Sequence, residues 1–270
     1  MTDPMQPEAI CQHGLPARPW ADARLNRLPG VLPVAEGDWL LVDEVYAAQM
    51  ALRERLLAAK GDAVLRASPG AIAACAELLD AVLADALTRP GFVAEGGVVR
   101  CPDGRRVPLD RERPLETAAR LVQEDLVVLE RPDGADEHII TAASLCFPAS
   151  WTLGEKFLKP LTRVHRPVAE YEGDIAKRVQ RLFDGLQPGR PIWRMNYLIY
   201  SDPALFQPRT EADKRPPASG SARWLRMERQ GMRRLPESGA VVFSIHTFVI
   251  PLERLSDADR NALSASKPVG

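Results

Sequence analysis

Pro191-Ile-Trp-Arg-Met-Asn-Tyr-Leu-Ile-Tyr200, Arg223-Trp-Leu-Arg-Met-Glu-Arg-Gln230 and Ala240-Val-Val-Phe-Ser-Ile-His-Thr-Phe-Val-Ile250 are three β-like runs in the last third of the chain. Each is rich in β-branched or aromatic residues, yet each carries charge or imidazole where a buried strand would place apolar side chains. Burying Arg194, Glu228, Arg229 or His246 without partners would cost about 2–5 kcal/mol apiece. The runs therefore predict a sheet that carries a polar ligand site. Period-two alternation sorts the side chains into faces. Arg194 and Asn196 fall with Ile192 and Leu198. Trp224, Arg226, Glu228 and Gln230 share one face of the second run, and Leu225, Met227 and Arg229 the other. His246 falls with Val242, Ser244, Phe248 and Ile250, as a core histidine or a polar group turned into a pocket. Only one set per strand can face a pocket, and a cross-strand ion-pair ladder such as Arg194 with Glu228 would account for the same charges.

Upstream of these runs the pattern is mixed. Residues 1–38 are rich in Pro and Arg with little periodicity, as in an arm laid over a surface. Over residues 39–96, Val42, Val45, Tyr46, Gln49, Leu52 and Leu56 recur at helical spacing up to Lys60-Gly61. Ser68-Pro69 then caps a second helix with Ile72, Cys75, Leu79, Val82 and Leu83 on its face. From residue 97 the signals are strands: Val98 to Arg100 and Arg106 to Pro108 about a Pro-Asp-Gly turn, then Leu121 to Glu130 and Glu137 to Leu145 about a second. A helical interval follows, first Trp151 to Leu161 and then a face of Ile175, Val179, Leu182, Phe183 and Leu186. Asp202 to Ser221 reads as a polar, Pro-rich surface loop or flap, and residues 253–270 as a tail. Strands, helices and strands again predict an α+β fold, an antiparallel sheet over 97–252 with flanking helices and an N-terminal helical extension.

Lys plus Arg (35) balance Asp plus Glu (36), so the overall field offers nothing to nucleic acid or an anionic membrane. No run approaches a membrane span and the N-terminus lacks an export signal, so a cytoplasmic protein is expected. Cys11, Cys75, Cys101 and Cys146 form no Cys-x-x-Cys pair, which excludes a zinc ribbon, a cluster ligand set and covalent c-type heme attachment. Cys101-Pro102 opens a turn and reads as exposed. No dinucleotide fingerprint, phosphate loop, His-Glu-x-x-His or nucleophile elbow occurs. His165, two residues before Pro167, falls at or just beyond a helix end. An imidazole there suits an axial metal ligand, but the residues alone favour a hydrogen bond to a backbone carbonyl.

Cys146-Phe-Pro-Ala-Ser-Trp151, Gly154-Glu-Lys156, Val164-His-Arg-Pro-Val168, Arg194-Met-Asn196, Met227-Glu-Arg-Gln230, Arg233-Arg-Leu-Pro-Glu-Ser-Gly-Ala240 and Phe243-Ser-Ile-His-Thr-Phe248 occur in order along the chain. This succession resembles the alpha subunit of heme-dependent oxidative N-demethylase, from about Trp39 to Leu252. The resemblance implies a heme-binding, PAS-like domain over 97–252 that oxidises a small secondary amine such as dimethylamine with O2. It implies His165 as the axial ligand of heme b iron, with Arg194, Asn196, Glu228, Arg229 and His246 as candidates on the distal wall. Glu228 would orient the protonated amine, and Asn196 would contact the cofactor. His246 stands where relatives can carry arginine. It further implies a partner reductase with flavin and an iron–sulfur cluster, and a folate-binding subunit as a further partner. A heme sensor or carrier without turnover is the alternative function.

Overall fold

The computed structural model describes residues 7–164, 174–213 and 223–266. The fold is α+β, as expected. Its main sheet has seven strands in the order β1-β8-β9-β10-β6-β7-β2, every neighbour antiparallel. The strands are β1 (Leu32–Pro33), β2 (Leu65–Ala67), β6 (Asp125–Glu130), β7 (Ile139–Ser144), β8 (Ile192–Tyr200), β9 (Trp224–Arg234) and β10 (Val241–Pro251). The three C-terminal runs are thus adjacent, with β9 between β8 and β10. A separate three-stranded sheet contains β3 (Val93–Glu95), β4 (Val98–Arg100) and β5 (Arg106–Pro108). The two Pro-Asp-Gly turns close their hairpins with Gly104 and Gly134 at φ of 81° and 74°, a region an L side chain rarely adopts.

Helices cover both faces of the main sheet. On one side lie α1 (Tyr46–Lys60), α2 (Ile72–Ala86), α3 (Pro114–Ala119) and α7 (Asp257–Ala265). Helical spacing in α1 buries Tyr46, Met50 and Leu56, and the same period buries Cys75, Leu79 and Val82 of α2. All but Leu56 pack with Leu126, Val128 and Val242 in one apolar cluster, and Leu56 joins a second with Phe147, Leu205 and Val249. Trp39 sits against Gly231, where a β-carbon would stand 2.5 Å from Ser244 Oγ. The opposite face is covered by α4 (Leu153–Lys156), α5 (Leu161–Val164) and α6 (Asp174–Gly185). There Leu153, Leu161, Phe183 and Leu186 pack on Val127, Leu129, Ile140 and Met232.

Several expectations change in detail. The strand read from Leu121 begins at Asp125, because Pro114–Ala119 forms α3 and residues 120–124 lead out of it. Trp151 to Leu161 is not one helix; two single turns, α4 and α5, stand there. The arm supplies β1, and the helical extension supplies β2 on the far edge of the sheet. Ile72 is exposed at 45%, off the buried face of α2. Cys101 is buried at 1%, since it packs in the apolar cluster of Tyr46, Val99, Val107 and Leu121, and all four cysteines are buried and free. In the C-terminal tail, Ser256 Oγ accepts from the Asp259 N–H and starts α7, whose Leu263 joins the core.

Candidate functional site

Between the sheet and α4–α6 lies a cavity of about 1090 Å³. That is slightly above the roughly 300–1,000 Å³ usual for small-molecule sites. Its wall is divided. Val127, Leu129, Ile140, Met232, Phe243 and Ile245 from the sheet, with Leu161, Val164, Val179, Leu182 and Phe183 opposite, make an apolar half. Arg194, Asn196, Arg226, Glu228 and Gln230 from β8 and β9 make a polar half. Alternation accounts for the division, since these polar residues share one face in the observed register, Arg194 opposite Gln230 and Asn196 opposite Glu228.

Glu228 is the centre of the polar half. It is 7% exposed, and its Oε2 accepts from Asn196 Nδ2 and from Gln230 Nε2, both at 3.2 Å. Its ion pair is with Arg226, Nη2 to Oε1 at 3.5 Å, on its own strand. The cross-strand ladder anticipated between Arg194 and Glu228 is therefore an Asn196–Glu228 pair with Arg194 on the diagonal. Burial lowers the Arg194 pKa from its ordinary value, and the charge of Glu228 opposes that shift.

Arg229 and His246, expected on the same wall, do not line the cavity. Both stand on the other face of the sheet, opposite each other in register. The Arg229 guanidinium donates to the carbonyls of Trp39 (3.1 Å) and Asp38 (2.7 Å) and lies 5.0 Å from the Trp193 ring centre. His246, 1% exposed, is held between Glu124 (Nδ1 to Oε1, 2.9 Å) and Asp43 (Nε2 to Oδ2, 3.3 Å). Their charges are satisfied by segment 38–43 and by Glu124 rather than by anything in the cavity. Burial disfavours the charged ring, but Glu124 and Asp43 outweigh it and raise the His246 pKa from 6.5 to about 9. A pKa raised on folding stabilises fully below the unfolded value and is lost as pH rises through the folded one. Stability is therefore expected to fall between pH 6.5 and about 9, by an amount on the order of 3 kcal/mol. Thermal midpoints across that range check this: His246→Gln should flatten the alkaline decline, and an equal decline in both proteins would refute it.

The rim of the cavity is ionic. Lys156 Nζ, 3% exposed as a residue, bonds Glu211 Oε1 at 3.0 Å, and Arg163 Nη1 bonds the same oxygen at 2.6 Å. These cations, Arg163 foremost, hold the Glu211 carboxyl down at about 2. The Pro-rich loop after β8 thereby reaches α4 and α5 and places Arg209, Thr210, Glu211 and Asp213 on the cavity wall. Val164 also lines it. The next residue in sequence, His165, lies outside the described residues, as do residues 166–173 and 214–222. Among the described residues no histidine or cysteine side chain lines the cavity. His13 is on the surface, His246 is behind the sheet, and His138 is bonded to Gln180 (3.2 Å), with a pKa lowered by burial.

Sequence reasoning missed Glu124, Asp43 and the roles of Arg226 and Asp125. Alternation does place Arg226 beside Glu228, but its partners are backbone carbonyls remote in sequence. Asp125, fully buried, pairs with the equally buried Arg53 at 3.0 Å and accepts the N–H groups of Cys146 and Phe147, each at 2.8 Å. Burial pushes its carboxyl above the ordinary range, against the pull of Arg53.

The family model described as haem-dependent oxidative N-demethylase, alpha subunit-like, matches residues 31–266, which include every strand of the sheet and every residue on the cavity's polar half. The chain belongs to the haem-dependent oxidative N-demethylase alpha subunit-like family.

Proposed function

We propose that this chain binds heme b in the apolar half of the cavity and oxidises a small secondary amine, such as dimethylamine, held as its ammonium ion by Glu228. The observation that carries the reading is a fixed, buried carboxylate on the wall of a cavity whose other half is apolar. The residues present fit the group. The apolar half suits a macrocycle, and Arg178 on the wall is a cation of the kind that would hold its carboxylates. His165, which follows cavity-lining Val164 in sequence, would supply the imidazole that holds the heme. The central strand order β8-β9-β10-β6-β7, with α4–α6 between β7 and β8, supports the PAS-like reading of residues 97–252.

Bound heme would supply the O2 and one-electron chemistry that no side chain offers. The protein's part is to bind, orient and exclude water. Glu228 accepts the N–H groups of the ammonium ion, while Asn196, Gln230 and Arg226 keep the carboxylate from turning. Arg194, in the same polar half, offers N–H donors for negative charge that develops there. Oxidation at an N-methyl group followed by hydrolysis gives formaldehyde and the demethylated amine. Electrons come from a partner, since the sequence carries neither a dinucleotide fingerprint nor cluster cysteines. A flavin and iron–sulfur reductase is the proposed donor, with a folate-binding subunit as the acceptor of the one-carbon product and the cytoplasm as the compartment.

The test is heme reconstitution followed by oxygen uptake with a reductase and dimethylamine. A Soret band with amine-dependent uptake and formaldehyde release is expected. Heme binding without turnover would favour the sensor or carrier, and no Soret band would remove both. Glu228→Gln is expected to weaken dimethylammonium binding by about 10–100-fold, the worth of a charge-assisted hydrogen bond, with heme affinity unchanged. Calorimetric titration of the heme-loaded variant checks this, and equal losses of amine and heme affinity would make Glu228 a structural residue.

A further inference from the structure

We infer that Arg226 is a positioning residue: it sets the Glu228 carboxylate toward the cavity and couples its orientation to the two chain segments that carry Phe147 and Leu205. The inference rests on the amine-binding reading of Glu228 given above. Arg226 is 3% exposed and lines the same cavity. Its Nη1 donates to the Leu205 carbonyl at 3.1 Å, and its Nη2 to the Phe147 carbonyl at 2.6 Å. The same Nη2 faces Glu228 Oε1 at 3.5 Å. One planar guanidinium thus spans three groups that a single ammonium could not reach together.

The braces are themselves rigid. Phe147 is held from both sides, its N–H by Asp125 Oδ2 at 2.8 Å and its carbonyl by Arg226, and its ring lies 4.5 Å from the Arg53 guanidinium. Leu205 is fully buried against Phe147 and Val249. Arg226 therefore hangs from two buried carbonyls, which direct its charge toward Glu228. Asn196 and Gln230 hold Oε2, whereas Arg226 addresses Oε1. With both oxygens engaged on the protein side, the remaining lone pairs are free to accept from a ligand in the cavity. A carboxylate restrained in this way discriminates by direction as well as by charge.

A double-mutant cycle on the heme-loaded protein tests this, with dimethylammonium chloride as the probe and calorimetric affinity, heme affinity and thermal midpoint as readouts. Arg226→Gln is expected to weaken dimethylammonium binding by about tenfold or more, while heme affinity stays within about threefold. Because Arg226 acts through Glu228, adding Arg226→Gln to Glu228→Gln should change amine affinity by less than about threefold. Should Arg226→Gln not fold, Arg226→Lys replaces it in the same cycle, keeping the charge but not the fork. Additive losses, or amine affinity falling only in step with heme affinity, would overturn the inference. So would failure of both variants to fold, since Arg226 would then hold the fold rather than the carboxylate. Absence of dimethylammonium binding to the unmodified protein is a different result, and it would overturn the reading of Glu228 itself.

Discussion

Heme affinity falls by at least about 100-fold and the Soret band is lost when His165 is replaced by Ala; this is the largest effect expected of any single substitution here. Residues that merely hydrogen-bond a metal ligand already contribute 10–100-fold to metal affinity, so removing the ligand should exceed that range. Protein ligands to heme iron are few: His, Cys, Met or Tyr. Among the described residues the cavity offers no His or Cys side chain, and its Met232 and Tyr200 stand on the sheet. His165 follows Val164 of the facing wall, and the heme proposed for this cavity would need an iron ligand. Heme titration of the variant measures the loss. Added imidazole should restore much of the spectrum by filling the vacated coordination position. An unchanged spectrum and affinity in His165→Ala would reject the assignment and move attention to Met232 and Tyr200.

The second large effect concerns stability. Arg53→Met is expected to lower the unfolding free energy by about 3–5 kcal/mol, the usual consequence of stranding one member of a buried ion pair. Arg53 and Asp125 have no solvent exposure, and Arg53 also donates to the Gln123 carbonyl at 2.5 Å. Against a typical total of 5–15 kcal/mol, such a loss leaves little margin. In a chain of this size it should appear as a fall in thermal midpoint of roughly 10 °C. Adding Asp125→Leu should recover only part of it, because the N–H groups of Cys146 and Phe147 then lose their acceptor. Urea or thermal denaturation decides the matter. A midpoint within about 2 °C of the unmodified protein would mean that the pair contributes nothing net.

Legibility in the sequence followed the range of the interactions involved. Helices α1 and α2 and strands β8–β10 were legible because period 3.6 and period 2 are local properties of the chain. The split of Arg226 and Glu228 from Arg229 was legible for the same reason. Helix α3 was missed because six residues carry too little period to register beside a strong β signal. The Ser256 cap of α7 was present in the sequence but sat in what reads as a tail.

Alternation thus established that the polar residues of the last three runs divide into two sets, and ordered motifs along the chain carried the resemblance that the family match bears out. Which set looks into a cavity required the folded chain. A strand has two equivalent faces until something packs on one of them, and here α1, α2 and segment 38–43 cover the face of Arg229 and His246, while α4–α6 stand off the face of Glu228. The burial of Arg53 with Asp125, the His246 ring between Glu124 and Asp43, and the three-way reach of Arg226 likewise join groups remote in sequence. Their energies depend on distance and on exclusion of water, quantities that no linear pattern of residues contains.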